Sequence, residues 1–359
     1  MKYALIGCGR VAPDHIKAAV KNGLEIIAVC DINSDNIDIM FERAELSKEQ
    51  REKIGRYSDY TKLFIKEQPE LISIALPSGL HAECAKEAIK RKINVIIEKP
   101  IALSIKDADE IIELTEKYGV KVSACHQNRF NLAVQEMRAY LENGSFGRLS
   151  NAAVTMRWHR DESYYSAASW RGTWLLDGGA LMNQSIHAID LLRWMCGNNI
   201  KSVYGKTANV FHPYIEAEDI GAAVIEFENG CIATLEGTVN VPGENLEEHL
   251  TLIGETGIMK LGGKSANTVE FKYFFSEGSA EANSLVEKTG NVYGNGHTSL
   301  FADVIDAINT DREPYVSVYD GKRALETVLA VYLSSKTGEK VALPLKDIGT
   351  AFFKGQFGG

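Results

Sequence analysis

The 359-residue chain has no excess of positive charge, no long apolar run and no closely paired cysteines, and each absence excludes a class of protein. Its formal net charge is −9 and its pI is near 5.5. That lacks the basic footprint of a general nucleic-acid binder. An anionic small ligand stays compatible, because a local pocket of Arg, Lys and backbone N–H groups holds one whatever the net charge. No stretch reaches the ~18–20 apolar residues of a membrane span. The chain opens directly on a strand-like run, Tyr3-Ala4-Leu5-Ile6, with no charged segment leading into an apolar one. The six cysteines, Cys8, Cys30, Cys84, Cys125, Cys196 and Cys231, are scattered without a C-x-x-C pair. This gives neither a dense disulfide framework nor a zinc site. Several lie in apolar runs, as buried free thiols of a reducing compartment do. The expectation is a cytoplasmic protein with no metal, no membrane and no nucleic-acid partner.

What is present is an ordinary globular composition, 45% hydrophobic and 24% charged. At roughly 100–200 residues per domain the length predicts two domains. The first third alternates short apolar runs (Lys2–Ile6, Glu25–Cys30, Leu71–Leu76, Asn94–Ile97, Val120–Ala124) with helical stretches (Val11–Asn22, Asp35–Leu46, His81–Arg91, Ile105–Lys117). Short all-apolar strands alternating with helices mean a parallel sheet covered on both faces. After residue 125 the pattern changes. A helix, Leu132–Asn143, is followed by strands with few helices between them: Leu149–Trp158, Lys201–Val210, Gly221–Phe227, Cys231–Val239, Glu248–Ile253 and Thr268–Phe274. Glu228-Asn229-Gly230 reads as a hairpin turn, and helices return at Leu300–Asn309 and Gly321–Ser335. The predicted class is an α/β domain over 1–125 and an α+β domain over 126–359 with a large open, mostly antiparallel sheet.

Gly7-Cys8-Gly9-Arg10-Val11-Ala12 matches G-x-G-x-x-G/A between the first strand and the first helix. Gly7 permits the tight turn, Gly9 lets the backbone approach a pyrophosphate, and Ala12 allows close helix–strand packing. The helix N-terminus offers free N–H groups to the phosphates. Asp31 closes the second strand 22 residues after Gly9. A carboxylate there accepts from ribose hydroxyls and repels a 2′-phosphate, which predicts NAD rather than NADP. Glu98-Lys99-Pro100 follows the Asn94–Ile97 strand, at the strand end where ligands gather in such sheets. Asp177-Gly178-Gly179 leads into an apolar-periodic helix carrying Asn183, His187 and Asp190, expected on one face. Imidazole is the usual group for taking a proton near neutral pH, although a histidine on an apolar helix is as readily a core residue.

In their order, these motifs together with Leu76-Pro77-Ser78-Gly79-Leu80-His81 resemble the Gfo/Idh/MocA oxidoreductases along essentially the whole chain. The resemblance implies an N-terminal Rossmann domain, a C-terminal domain whose sheet supports homo-oligomers (tetramer or dimer), and a sugar or cyclitol substrate. It implies NAD contacts at Gly7, Gly9, Arg10, Val11, Asp31, Leu76, Pro77, Ser78, His81, Glu98 and Lys99, and catalytic roles for Lys99 and His187, with Lys99–Pro100 often cis. Many members carry Asp where this chain has Asn183. A neutral amide is no base, which leaves the proton-accepting role to His187 or Lys99. A narrower resemblance rests on Tyr164-Tyr165, Trp170-Arg171-Gly172-Thr173-Trp174, Asn183-Gln184, Ala217-Glu218-Asp219, Tyr293-Gly294-Asn295-Gly296-His297 and Val341-Ala342-Leu343-Pro344-Leu345. It points to the bacterial UDP-N-acetyl-2-amino-2-deoxy-D-glucuronate 3-dehydrogenases, a group in which Asn183 is usual. That implies a sugar-nucleotide substrate contacted by Asn183, Arg171, Trp170, Tyr165 and Gln127. A free sugar or cyclitol dehydrogenase and a non-catalytic NAD-binding regulator are the alternatives.

Overall fold

Six short strands, β1 (Lys2–Ile6), β2 (Glu25–Cys30), β3 (Gly55–Tyr57), β4 (Leu71–Ile74), β5 (Asn94–Ile97) and β6 (Val122–Ala124), pair in parallel in the order β3-β2-β1-β4-β5-β6. The order reverses direction next to β1, the doubly wound arrangement in which ligands bind beyond the strand ends. β4 is buried at every position, as its apolar sequence requires when both faces are covered. The computed structural model describes residues 1–276, 280–281, 285–287 and 294–357. These divide into two compact units.

The first unit takes residues 1–102, 106–126 and 297–322. The last segment departs from the single boundary near 125 expected from the sequence. It is tied in by long-range hydrogen bonds: Ser123 Oγ–H donates to Val316 O at 2.8 Å, and Asn22 Nδ2–H to Thr298 O at 2.9 Å. Such contacts leave no local signal in the sequence. Also unforeseen are β3, too short to show a period, and the helix Tyr60–Glu67, whose N-cap Asp59 accepts from the Thr61 amide at 2.8 Å.

The second unit takes residues 103–105, 127–296 and 323–359. Its strands are β7 (Leu149–Arg157), β8 (Ile200–Ala208), β9 (Ile220–Phe227), β10 (Ile232–Thr238), β11 (Glu247–Gly254), β12 (Gly257–Gly262), β13 (Thr268–Phe274), β14 (Ala280–Glu281), β15 (Leu285–Val286) and β16 (Val341–Ala342). They form a ten-stranded sheet in the order β14-β13-β12-β11-β7-β10-β9-β8-β16, with β15 beside β13. All pairings are antiparallel except β7 with β10. β12 was not foreseen from the sequence. It begins and ends in glycine, because a Cβ on Gly257 would stand 2.1 Å from the Phe274 ring across the ladder. Helices cover one face. The Ile186–Cys196 helix packs on β7 and β11, and residues 323–337 lie on β8, where Ser334 Oγ accepts from the Gly205 amide at 3.0 Å. The alternation along β8 and β10 follows from one covered face and one open face.

All six cysteines are free and buried. Among the described residues no helix is long and apolar enough to cross a membrane. Tyr293, one of the residues behind the narrower resemblance, lies outside the described residues.

Candidate active site

The glycine turn after β1 is built as its sequence demands. Gly7 has φ +92°, and a Cβ there would lie 2.4 Å from Ala75 O, so a side chain is excluded twice over. Gly9 faces open space, with nothing within 4 Å of where its Cβ would be. The amides of Gly9, Arg10 and Val11 make no hydrogen bond within the described chain, and they lead straight into the helix Ala12–Lys21. The Asp31 carboxylate accepts from the amides of Cys8 (2.8 Å) and Asn33 (2.9 Å) and from Asn36 Nδ2 (3.1 Å). About four lone-pair sites are available on a carboxylate, so one is left for a ribose hydroxyl. Open amides at a helix start, a glycine cradle and an acid at the end of β2 fit a dinucleotide. Asp31→Ala is expected to weaken NAD roughly 10- to 100-fold, the worth of a hydrogen bond to a charged group, and to narrow the preference over NADP. Fluorescence titration of both cofactors checks it, and a parent protein that already prefers NADP would overturn this role.

Two of the expected cofactor contacts have buried side chains that are engaged within the chain. His81 is only 1% exposed. Its Nδ1 faces Pro100 O at 2.7 Å and its Nε2 faces Leu76 O at 2.8 Å. Burial pushes its pKa down, although both carbonyls favour the charged ring. The ring therefore clamps the Leu76-Pro77-Ser78 loop to the Lys99–Pro100 turn. Glu98 is likewise buried. Its Oε1 accepts from His15 Nε2–H at 2.9 Å and lies 3.7 Å from His297 Nε2. Burial alone would raise its pKa, but the two imidazoles outweigh it and hold the carboxyl well below the usual range. Oε2 accepts from the Lys99 amide at 3.2 Å, which anchors the backbone of the lysine. With Cys125, these groups bring four possible ligand atoms within 4.8 Å of one another. The 2.9 Å His15–Glu98 contact is shorter than the roughly 3.3–3.8 Å between ligand atoms around tetrahedral zinc, and we read the cluster as a hydrogen-bonded one. Lys99 itself is half-buried, and the Lys99–Pro100 bond is cis.

In the second unit the expected continuous helical face is broken. Residues Ala180–Gln184 form a π-type turn, with the Ser185 amide reaching back to Ala180 O at 2.9 Å, and the α-helix begins at Ile186. Such turns are frequent at functional sites. Here Asn183 and His187 do not share one regular helix. Asn183 Nδ2–H donates to the Asp177 carboxylate, and its Oδ1 accepts from Gln184 Nε2–H at 2.6 Å. Asp177 Oδ2 in turn accepts from the Gly172 amide at 2.7 Å. His187 is buried in the first turn of the Ile186–Cys196 helix. Asp190 is not a third chemical group in that row, because it is fully buried against Arg129 and Arg193.

Two expected substrate contacts are also buried. Gln127 lies in the turn Gln127–Phe130 at 1% exposure. Tyr165 packs against Tyr164, His212 and Tyr214, and burial raises its pKa strongly. Tyr164, next in sequence, is the half-buried one. Its ring lies under both Arg171 (4.3 Å) and Arg160 (5.0 Å), and its hydroxyl accepts from Gln184 Nε2–H at 2.9 Å. Trp170 is half-buried beside Arg171. Sequence reasoning passed over Arg160, which belongs to no motif, and chose Tyr165 over its neighbour Tyr164; only the folded loop after β7 brings Arg160 and Tyr164 together.

The turn is carried from below by Glu218. Its Oε1 accepts from the Leu181 amide and from Tyr332 Oη–H, both at 2.8 Å. Gly179 must be glycine, as a Cβ there would fall 1.7 Å from Glu218 Oε2. Burial pushes the Glu218 carboxyl up to about 8, so it is mostly protonated at neutral pH. The native state then binds a proton that the unfolded state has released above about pH 4.5. This contribution to stability is complete below pH 4.5 and is lost as pH rises to 8, at up to ~1.4 kcal/mol per pH unit. Glu218→Gln keeps both acceptor contacts and removes the titration. Its melting temperature relative to the parent is expected to rise between pH 5 and pH 8. A difference that stays flat would contradict a protonated Glu218.

The family model for the NAD-binding Rossmann-fold oxidoreductases matches residues 1–126, and that for the GFO/IDH/MocA C-terminal domain matches residues 134–260. The chain belongs to the Gfo/Idh/MocA oxidoreductase family and binds NAD. The structure is similar to that of the WlbA dehydrogenase from Bordetella pertussis solved in complex with NADH and UDP-GlcNAcA. The TM-score is 0.82 at 30% identity, covering 96% of this chain and 99% of that one. The WlbA dehydrogenase from Chromobacterium violaceum, with the same two ligands, gives a TM-score of 0.84 at 31% identity, covering 96% of each chain. In sequence the chain is also 24% identical to the D-glucoside 3-dehydrogenase of Escherichia coli, over 96% of this chain and 97% of that protein.

Proposed function

We propose that this protein oxidises the C3 hydroxyl of UDP-N-acetylglucosaminuronate to a ketone in the cytoplasm, a step toward amino sugars of cell-surface polysaccharides. The observation that supports this reading is the likeness, at 30–31% identity over 96% of the chain, to two dehydrogenases solved with NADH and that UDP-sugar. Bound NAD supplies the hydride acceptor. The chain supplies positioning and proton chemistry. The open amides of Gly9, Arg10 and Val11 with Asp31 hold the dinucleotide. His187 takes the proton of the C3 hydroxyl, and Lys99 steadies the negative charge that grows on its oxygen. Asn183, locked between Asp177 and Gln184, keeps the turn before His187 in place. Trp170 and Arg171 offer a flat face and a cation to the sugar and its anionic groups.

The test is NADH formation, together with a thermal-shift screen of UDP-sugars, free glycosides and inositols. Turnover and stabilisation with UDP-N-acetylglucosaminuronate are expected. Stabilisation by a free glycoside and by no UDP-sugar would replace this reading with a second one, free-glycoside oxidation, which the Escherichia coli relative favours. We also propose a homo-oligomer. The open face of the large sheet leaves Tyr204, Val224 and Ile232 about half exposed on adjacent strands, a surface suited to a second copy.

A further inference from the structure

Arg129, Arg138, Arg157 and Arg193 of the second unit are held by carboxylates. Arg129 grips Asp190 through Nε and Nη2, both at 2.7 Å. Arg157 grips Glu236 through the same two nitrogens, again at 2.7 Å. Arg193 reaches Asp190 at 2.9 Å. Arg160 is built differently. Its backbone is pinned, with its amide on Val239 O at 3.1 Å and its carbonyl facing His212 Nε2 at 2.8 Å. Its guanidinium lies over the rings of Trp158 (5.2 Å) and Tyr164 (5.0 Å). All of its named acceptors are neutral: His159 O at 2.5 Å and Asn245 Oδ1 at 3.0 Å for Nη1, and Gln184 Oε1 at 2.6 Å for Nη2. Among the described residues no carboxylate stands within 4.0 Å of it, and its buried Nε–H has no acceptor.

A guanidinium has five N–H groups, and three are used. The two that remain, Nε–H and one Nη2–H, belong to the nitrogens with which Arg129 and Arg157 each grip a carboxylate. Arg171 repeats the theme on the same tyrosine. It lies 4.3 Å from the Tyr164 ring, its Nη1–H donates to Tyr164 O, and its Nε–H also has no acceptor among the described residues. Two positive charges therefore rest on one aromatic ring, and among the described residues neither has a carboxylate within 4.0 Å. Buried donors left open in this way call for a partner. Gln184 connects Arg160 to Asn183, in the turn that precedes His187.

We propose that Arg160, supported by Arg171, is a receptor for the carboxylate of an acidic sugar, and that it sets the preference for a uronic acid over the neutral hexose. This rests on the reading of the protein as a sugar-nucleotide dehydrogenase. A uronic acid differs from its parent hexose in bearing a carboxylate in place of a hydroxymethyl group, the one change that a pre-aligned guanidinium edge reads. Rings that fix the plane of the cation lower the entropy lost on binding.

The experiment is calorimetric titration of the NADH-loaded protein with three ligands: UDP-N-acetylglucosaminuronate, its neutral counterpart UDP-N-acetylglucosamine, and free D-glucuronate. The parent, Arg160→Met, Arg160→Lys and Arg171→Met are compared, with melting curves to confirm folding. The expected result is a preference for the acidic over the neutral UDP-sugar of roughly 10- to 100-fold in the parent. That preference collapses in Arg160→Met and is partly kept in Arg160→Lys, which retains the charge without the planar fork. An Arg160→Met protein that keeps the preference, or that weakens both UDP-sugars equally as a diphosphate contact would, overturns the proposal and leaves UDP-sugar oxidation standing. If no UDP-sugar binds but free glucuronate does, and Arg160→Met abolishes it, the receptor stands and the sugar-nucleotide reading falls. If no acidic sugar binds the parent, both fall. Should Arg160→Met fail to fold, retention of the full preference in Arg160→Lys overturns the proposal, since that variant cannot grip a carboxylate through two parallel donors.

Discussion

Alanine at Lys99 or at His187 is expected to lower turnover roughly 10²- to 10⁴-fold, the usual worth of general acid–base assistance, with NAD affinity within about threefold of the parent. The split between turnover and cofactor binding follows from where each group stands. Lys99 lies at the end of β5, with its backbone anchored by Glu98. None of the residues that cradle the dinucleotide, Gly7, Gly9 or Asp31, depends on its side chain. His187 belongs to the other compact unit, in the first turn of its helix just after the π-type turn. Oxidising an alcohol releases a proton as well as a hydride. A chain without a group to accept that proton and steady the oxygen loses rate and keeps its cofactor. Steady-state kinetics and NAD titration on both variants decide the matter. Near-parental turnover in either one would remove that residue from the proposed chemistry.

Asp190→Ala is expected to destabilise the second unit by about 3–5 kcal/mol, the range for breaking a buried ion pair from one side. At roughly 2–4 °C per kcal/mol for a domain of this size, its melting temperature falls by ~6–20 °C. The carboxylate is completely buried and serves two guanidiniums. Arg129 binds it bidentately and Arg193 shares Oδ1, and each arginine is about 1% exposed. Arg129 also lies 4.7 Å from the Trp194 ring. Removing the one anion leaves two cations in a dry interior. Pairing Asp190→Leu with Arg129→Met is expected to destabilise by less than the two single changes together, since one cation departs with the anion. Thermal melts of the four proteins check this. An Asp190→Ala protein within about 1 kcal/mol of the parent would show the pair to be dispensable.

The readable parts of this protein are those whose chemistry is local. Gly7, Gly9, Ala12 and Asp31 are separated by fixed offsets, because one turn, one helix start and one strand end must meet one dinucleotide, and those offsets survive in the linear order. Strand-length apolar runs marked β1, β2 and β5 to the residue. Asp190 misled, because an acid three positions from a histidine in a helix reads as a third group on the same face until Arg129, 61 residues away, is seen to consume it. Tyr165 and Tyr164 are indistinguishable by composition. Only the packing of Tyr165 against His212 and Tyr214 decides which ring is left for the arginines. His81 and Glu98 stand in motif positions yet act from behind, on backbone and imidazole.

The absence of basic excess, of apolar spans and of paired cysteines, with the ordered glycine, EKP and histidine motifs, determined from sequence alone an α/β nucleotide-binding half, a mostly antiparallel second half and a family. The two halves depend on periodicity and on spacing, which the chain carries along its length, and the family was read from the resemblance of its ordered motifs. The tertiary structure decided which charges are answered and which are not. Asp190 is neutralised, Glu98 is held ionised by two imidazoles, Glu218 keeps its proton, and Arg160 meets no carboxylate within the described chain. Charge compensation depends on distances of a few ångströms between groups tens of residues apart, and on the removal of water around them. Neither quantity is written in the order of the residues.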